Sequence, residues 1–125
     1  MATTDKPTLL VVEDDQPLRS LLNAILTREG YRVLEAADGI RAVRLLAEEE
    51  IDGLVLDVRL GPEDGVALAR ELRLDRPDLP IALMSGDSST AEAKQNAIGL
   101  TELFIEKPFT FDQVRRTVEA LLQAS

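Results

Sequence analysis

The stretch LLVVEDDQPLR, residues 9–19, is the segment from which the fold can be worked out. Four apolar residues lead directly into three consecutive acids, Glu13, Asp14 and Asp15. Neighbouring carboxylates repel one another, and the repulsion grows near a core that screens charge poorly. A buried strand that ends in this way therefore needs either solvent around the acids or a cation that neutralises them.

Four other strand-like stretches follow, and amphipathic stretches alternate with all five. The predicted strands are TLLVVE (8–13), RVLEA (32–36), GLVLDV (53–58), PIALMS (80–85) and ELFIE (102–106). Predicted helices occupy residues 16–29, 39–49, 64–75 and about 88–98, and a last one begins near Thr110. Continuous apolar runs are typical of strands covered on both faces. The alternation predicts an α/β fold of the form (βα)₅, with a parallel sheet between two layers of helices.

The spacing of apolar residues predicts the buried face of each helix. We expect Asp38 or Gly39 to open the second helix, and Thr110 to cap the last one. The residues expected to face inward are Leu18, Leu21, Leu22, Ile25 and Leu26 in the first helix, Ile40, Val43 and Leu46 in the second, and Phe111, Val114, Val118, Leu121 and Leu122 in the last.

Composition excludes several classes of function. The 125 residues suit one domain, and 14 basic against 23 acidic side chains give a net charge of −9, which disfavours direct nucleic-acid binding. We expect a cytoplasmic protein without membrane contact, because no apolar run approaches the ~18–20 residues of a membrane span and no signal peptide is recognisable. The chain contains no Cys and no His, which leaves carboxylates, hydroxyls, lysine and an oxygen-bound metal such as Mg²⁺ for chemistry.

Polar side chains follow the predicted strands at their carboxyl ends. Asp57 ends the third strand, Ser85 ends the fourth, and Lys107 stands before Pro108 after the fifth. The carboxyl ends of parallel strands lie at one edge of a sheet, where ligands bind in open α/β folds. We therefore expect these groups to meet the acids at residues 13–15.

The motifs LLVVEDD, LVLDVRLGPEDG, MSGD and FIEKPF resemble those of the receiver domain of bacterial two-component response regulators, in the same order and at similar spacing. The resemblance covers about residues 8–123. It implies a flavodoxin-like, doubly wound parallel sheet with strand order 2-1-3-4-5, and a single receiver domain over residues 1–125.

The same resemblance assigns the metal and phosphoryl chemistry. It implies that Asp57 is the phosphoacceptor and that Glu13 and Asp14 hold Mg²⁺ (or Mn²⁺), with Asp14 the direct ligand. Asp57 and the backbone carbonyl of Arg59 would complete the protein ligands. Asp14 with Asp15 is an alternative acidic pair; Glu13 with Asp14 is preferred because Arg19 then stands where receivers often have a basic residue.

Further roles follow from the remaining motifs. The resemblance implies that Ser85 is the switch hydroxyl, that Phe104 is the switch aromatic residue, and that Lys107, followed by a cis Pro108, pairs with the phosphoryl group.

Two variable positions flank the expected entry to the phosphoryl group. In receivers such positions often tune attack by water. We expect Arg59 and Asp87 to form a loose lid there and to slow dephosphorylation.

Two departures from the family pattern lie near the site. Gly61 stands where receivers usually have Pro, and Pro62 follows it, so we expect a different turn there, whereas Gly65 keeps its usual place. The usual Gly-Ala before the fifth strand is replaced within AIGLTEL.

The implied function is that of a receiver that takes a phosphoryl group from a histidine kinase or phosphotransfer protein. It would then act on a downstream protein through the face formed by helix 4, strand 5 and helix 5. Such a chain catalyses its own phosphorylation and dephosphorylation, without turnover of a separate substrate. Two alternatives remain open: an unphosphorylated protein-binding module of this fold, and a receiver excised from a hybrid histidine kinase.

Two other classes are disfavoured by particular residues. An aspartyl-phosphate phosphatase of the haloacid-dehalogenase type needs a second Asp two residues after the nucleophile, where Arg59 stands. A flavin-binding protein needs a hydroxyl-rich phosphate loop after the first strand, where EDDQP is acidic.

Overall fold

The computed structural model describes residues 6–86, 90–101 and 103–123. Its central strands are β1 Thr8–Val12, β2 Arg32–Ala36, β3 Gly53–Asp57, β4 Ile81–Ser85 and β5 Phe104–Glu106. Its helices are α1 Gln16–Arg28, α2 Gly39–Glu48, α3 Gly65–Asp75, α4 Thr90–Asn96 and α5 Phe111–Gln123. The predicted (βα)₅ order is confirmed. Residues 88 and 89 of the predicted fourth helix and residue 102 of the predicted fifth strand lie outside the described residues.

The five strands form one parallel sheet in the order β2-β1-β3-β4-β5. The flavodoxin-like strand order is therefore confirmed. Leu10 is paired with Leu34 on one side and with Leu54 on the other, which places β1 inside the sheet. The direction of winding reverses between β1 and β3, and such a reversal opens a crevice at the carboxyl ends of the strands.

Alternate residues of the central strands enter two separate cores. Leu10 and Val12 belong to a core on the side of α2, α3 and α4, whereas Leu9 and Val11 belong to a core on the side of α1 and α5. All four side chains are fully buried. The two-residue period of a strand explains this division, because successive side chains point to opposite faces of the sheet.

The buried face of α2 differs from the one predicted. Leu46 is buried as expected, but Ile40 is 75% exposed and Val43 is 49% exposed. The inward positions are occupied instead by Gly39, Ala42 and Leu45. The reason is close packing: a side-chain carbon added to Gly39 would lie only 3.3 Å from the Leu68 side chain of α3.

Two further inward predictions are wrong at the edges of otherwise correct helix faces. Leu21 of α1 is 42% exposed and Phe111 of α5 is 59% exposed, and both line a surface groove between these helices. The apolar stripe of each helix is wider than the surface that the sheet covers. The predicted cap of α5 is confirmed, because Thr110 Oγ1 accepts a hydrogen bond of 3.1 Å from the Gln113 N–H.

The loop between β3 and α3 forms a small hairpin. Residues Arg59–Leu60 pair antiparallel with Glu63–Asp64, and Gly61 at the tip has a φ of +60°. A positive φ is readily adopted by glycine and rarely by other residues. Asp64 then caps α3, with its carboxylate accepting from the Val66 N–H at 2.9 Å.

Candidate functional site

The parallel sheet brings the polar groups at the strand ends together. Glu13 directly follows β1, and Asp57 ends β3, which lies beside it. Ser85 ends the next strand, β4, and its backbone carbonyl accepts a hydrogen bond of 2.8 Å from the Lys107 N–H. Four side chains that are distant in sequence therefore lie at one edge of the sheet.

Three carboxylates form a compact cluster at this edge. One oxygen from each of Glu13, Asp14 and Asp57 lies within 4.8 Å of the others. Glu13 and Asp57 are almost fully buried, at 1% and 4% exposure, whereas Asp14 is exposed. Mg²⁺ prefers carboxylate oxygens and retains several water molecules. A set of three acids with one open side fits that preference.

Asp15 is directed away from this cluster. Its carboxylate accepts a hydrogen bond of 3.0 Å from the Leu18 N–H and caps α1. Its backbone N–H donates to the Glu13 carboxylate at 3.2 Å. The pairing of Asp14 with Asp15 is therefore disfavoured, and the geometry supports Glu13 with Asp14 as the acidic pair.

Lys107 contacts two of the three carboxylates of this cluster. Its ammonium lies 3.1 Å from Glu13 Oε1 and forms an ion pair with the Asp57 carboxylate. Burial opposes the charge on this lysine, but the hydrogen bonds to Asp57 and Glu13 outweigh burial and raise the pKa of Lys107. The lysine therefore remains a cation within reach of the proposed phosphoacceptor. The Lys107–Pro108 peptide bond is cis, as the resemblance implied.

Glu13 is the most perturbed acid of the site. Its pKa is raised from 4.5 to about 8, chiefly by burial and further by the hydrogen bond and charge of Asp57. The shift favours the protonated form of this buried carboxyl group, although the hydrogen bonds from the Asp15 N–H and the Lys107 ammonium act in the opposite direction. A metal ion that binds the cluster must therefore compete with this proton.

Arg19 holds the backbone at the start of the acidic loop. Its guanidinium donates to the Glu13 backbone carbonyl at 2.8 Å and to Glu35 Oε1 at 2.9 Å. Asn23 donates to the other oxygen of Glu35 at 2.5 Å. These contacts hold the backbone of the first acid while its side chain points into the cluster.

The family follows from this geometry together with one comparison. A family model described as the response regulator receiver domain matches residues 9–119. The chain belongs to the response regulator receiver family. The match includes the carboxyl ends of β1, β3, β4 and β5, which are the four strand ends that build the site.

Named relatives and solved structures agree with this membership. Response regulator MprA of Mycobacterium ulcerans is 34% identical over 115 residues, which are 92% of this chain and 50% of that protein. The receiver domain of NtrX from Brucella abortus superposes with a TM-score of 0.89 at 31% identity, over 94% of this chain and 99% of that one. A receiver protein from Sinorhizobium medicae has a TM-score of 0.85 at 33% identity, over 96% and 97%. This receiver domain therefore spans about half the length of the curated relatives that it matches.

The remaining predicted residues are placed as follows. Ser85 is fully buried at the end of β4, and Phe104 packs, partly buried, against the core on the side of α2, α3 and α4. Arg59 is exposed, and its backbone N–H donates to Asp57 Oδ1 at 2.8 Å. Asp87 lies outside the described residues, so the predicted lid between Arg59 and Asp87 stays a prediction.

Two residues of the site region were not singled out from the sequence. Lys94 of α4 lies 5.7 Å from the centre of the Phe104 ring and 3.4 Å from Glu106, so it joins α4 to β5 of this receiver domain. Glu63 accepts a hydrogen bond from the Gly39 N–H at 3.1 Å. Both contacts join distant parts of the chain, and neither has a local sequence signal.

Across the described residues, we find no helix long and apolar enough to span a membrane.

Proposed function

We propose that this receiver domain accepts a phosphoryl group on Asp57, in a reaction that uses Mg²⁺ held by Glu13, Asp14 and Asp57. The observation that supports the proposal is the environment of the Asp57 carboxylate. It is almost fully buried, it is paired with the Lys107 ammonium, and one oxygen of each of two further carboxylates lies within 4.8 Å of it.

The chemistry is one displacement at phosphorus. An oxygen of Asp57 attacks the phosphoryl group of a phosphohistidine in the donor protein, and a new O–P bond forms while the P–N bond breaks and the imidazole leaves. Mg²⁺ would supply the charge neutralisation that two negative reactants need. The Lys107 ammonium pairs with a phosphoryl oxygen, and the Arg59 backbone carbonyl is the proposed fourth protein ligand. Positioning and charge stabilisation dominate such transfers.

The phosphoryl group would also bias the conformation of the domain. Ser85 would move towards the new phosphoryl oxygens, and Phe104 would occupy the space that this movement leaves. Phe104 lies on β5 beside Lys94 of α4, so its movement would change the face formed by α4, β5 and α5. We propose that a downstream protein reads this face.

The donor is proposed to be a histidine kinase or a phosphotransfer protein. The net charge of −9 supports partners with basic or apolar surfaces rather than direct contact of this domain with nucleic acid. We propose a single receiver domain over residues 1–125, located in the cytoplasm.

One labelling experiment tests the proposed function. The protein is incubated with acetyl phosphate, with Mg²⁺ or with a chelator, and its intact mass is measured. We expect the mass of one phosphoryl group to be added only when Mg²⁺ is present. Protein that remains unlabelled with Mg²⁺ would instead support a binding module of receiver fold that is not phosphorylated.

Asp14→Ala should weaken Mg²⁺ binding by at least about tenfold, because loss of even a supporting partner of a metal ligand costs about that much. Asp15→Asn is the matched control, since its side-chain oxygen can still cap α1. It should leave the affinity within about twofold. A Mg²⁺ titration monitored by amide chemical shifts measures both constants. Equal affinities of wild-type and Asp14→Ala protein would remove Asp14 from the ligand set.

A further inference from the structure

The hairpin between β3 and α3 reaches the proposed metal ligands at two points. The Arg59 N–H at its base donates to Asp57 Oδ1 at 2.8 Å. At its tip, a side-chain carbon added to Gly61 would lie 3.7 Å from Asp14 Oδ2. A displacement of the hairpin would therefore change the surroundings of both carboxylates, as well as the position of the Arg59 backbone carbonyl.

Glu63 ties this hairpin to a distant part of the chain. Its Oε1 accepts a hydrogen bond of 3.1 Å from the Gly39 N–H, at the first residue of α2. The N-terminal N–H groups of a helix have no partner within the helix and carry a partial positive charge. A carboxylate at this position satisfies one of them and gains from the helix dipole.

Gly39 leaves room for this contact because it has no side chain. A side-chain carbon at position 39 would lie 2.7 Å from Glu63 Oε2 and 3.3 Å from the Leu68 side chain. Any larger residue at position 39 would push the carboxylate away. The contact therefore depends both on the carboxylate of Glu63 and on the absence of a side chain at position 39.

The hairpin is held from its opposite side by burial. Leu60, which pairs with Glu63 across the hairpin, is only 2% exposed. Glu63 itself is exposed and contributes little to the core. Its contact with α2 is thus a local tether for the hairpin rather than a large part of the stability of the domain.

We propose that Glu63 is a positioning residue for the Mg²⁺ site. Through the Gly39 N–H it holds the hairpin against α2, and the hairpin in turn holds the backbone of Arg59 beside Asp57 and the tip beside Asp14. This inference rests on the proposed function and adds a residue that contacts neither the phosphoryl group nor the metal.

The test compares Mg²⁺ dissociation constants of the full chain, measured by titration of amide chemical shifts. Glu63→Ala should raise the constant about fivefold, the factor expected from loss of one ordinary hydrogen bond of about 1 kcal/mol. Glu63→Gln keeps the accepting oxygen and removes the charge, so its constant should stay within about twofold of wild type. Glu92→Ala is the matched control, because it removes an acid from another wall of the same groove.

A second variant tests the contact from its other end. Gly39→Ala should displace the Glu63 carboxylate and weaken Mg²⁺ binding to a similar extent. Because both changes break the same contact, the double variant should bind Mg²⁺ about as well as either single variant. In wild-type protein the Gly39 amide resonance should shift on addition of Mg²⁺, and this shift should be lost in Glu63→Ala.

The outcomes separate this inference from the proposed function. Wild-type protein that binds Mg²⁺ while Glu63→Ala binds it equally well would overturn the role of Glu63 and leave the proposed function intact. Equal weakening by Glu63→Ala, Glu63→Gln and Glu92→Ala would show a general effect of charge and would also overturn it. Wild-type protein that does not bind Mg²⁺ would overturn both proposals.

Discussion

Asp57→Asn should reduce phosphorylation by acetyl phosphate to background under conditions that label the wild-type protein. The amide has no oxygen with the nucleophilic character of a carboxylate. Asp57 accepts from the Arg59 N–H on Oδ1 and from the Lys107 ammonium on Oδ2, and the single amide oxygen of Asn can keep one of these two hydrogen bonds. Removal of one acid also relieves the repulsion between Asp57 and the neighbouring Glu13. The fold should therefore persist, and intact mass after incubation with Mg²⁺ measures the loss directly.

The control for this experiment is Asp15→Asn, which makes the same chemical change at the acid that caps α1. It should be labelled to the same extent as wild type, and circular dichroism should show that both variants are folded. If Asp57→Asn retained the added mass, the acceptor would be another acid, and mapping of the modified peptide would identify it.

The sheet could be predicted because the residue patterns that mark its central strands are local in the sequence. The three central strands are short, largely apolar runs, and in β1 the residues Leu9, Leu10, Val11 and Val12 pack alternately into the two cores. Any segment buried on both faces must be apolar throughout, so such a strand can be recognised without knowing which strands lie beside it. The chain order of strands and helices then leaves few topologies.

The composition of the site could also be predicted, because the carboxyl ends of parallel strands meet at one edge. Glu13, Asp57 and Lys107 contact one another as this rule requires. The choice between Asp14 and Asp15 was harder to make from the sequence, since both follow the same strand. The hydrogen bond from the Leu18 N–H to Asp15 favours Asp14, because a side chain that caps α1 is turned away from the cluster.

The parts that escaped prediction depend on what lies opposite a residue. Ile40 and Val43 are more apolar than Gly39 and Ala42, yet these two small residues face inward, together with Leu45 and Leu46. The contact of Glu63 with Gly39 joins residues 24 positions apart in the chain. Its partner is a backbone N–H, which every residue except proline possesses, so no residue pattern marks it.

Gly65→Ala should destabilise the domain by about 3 kcal/mol, at the upper end of the usual cost of overpacking. A side-chain carbon at position 65 would lie 2.0 Å from the backbone oxygen of Asp57 and 2.8 Å from Val58 Cα. These are backbone atoms, so no side-chain rotation can relieve the clash. The start of α3 or the end of β3 must move, and the Gly65 N–H would lose its hydrogen bond of 2.8 Å to the Val58 carbonyl.

The same displacement should slow phosphorylation, because it moves the backbone that carries the phosphoacceptor, and a shift of about 1 Å can cost about a hundredfold in rate. Gly86→Ala is the control for stability, because a side-chain carbon at position 86 would meet nothing within 4 Å. Its free energy of unfolding should stay within about 0.5 kcal/mol of the wild-type value. Urea denaturation of both variants measures the free energy of unfolding. If the midpoint of Gly65→Ala matched that of wild type, the close approach of α3 to the end of β3 would be wrong. The positioning of Asp57 by Gly65 would then be excluded as well.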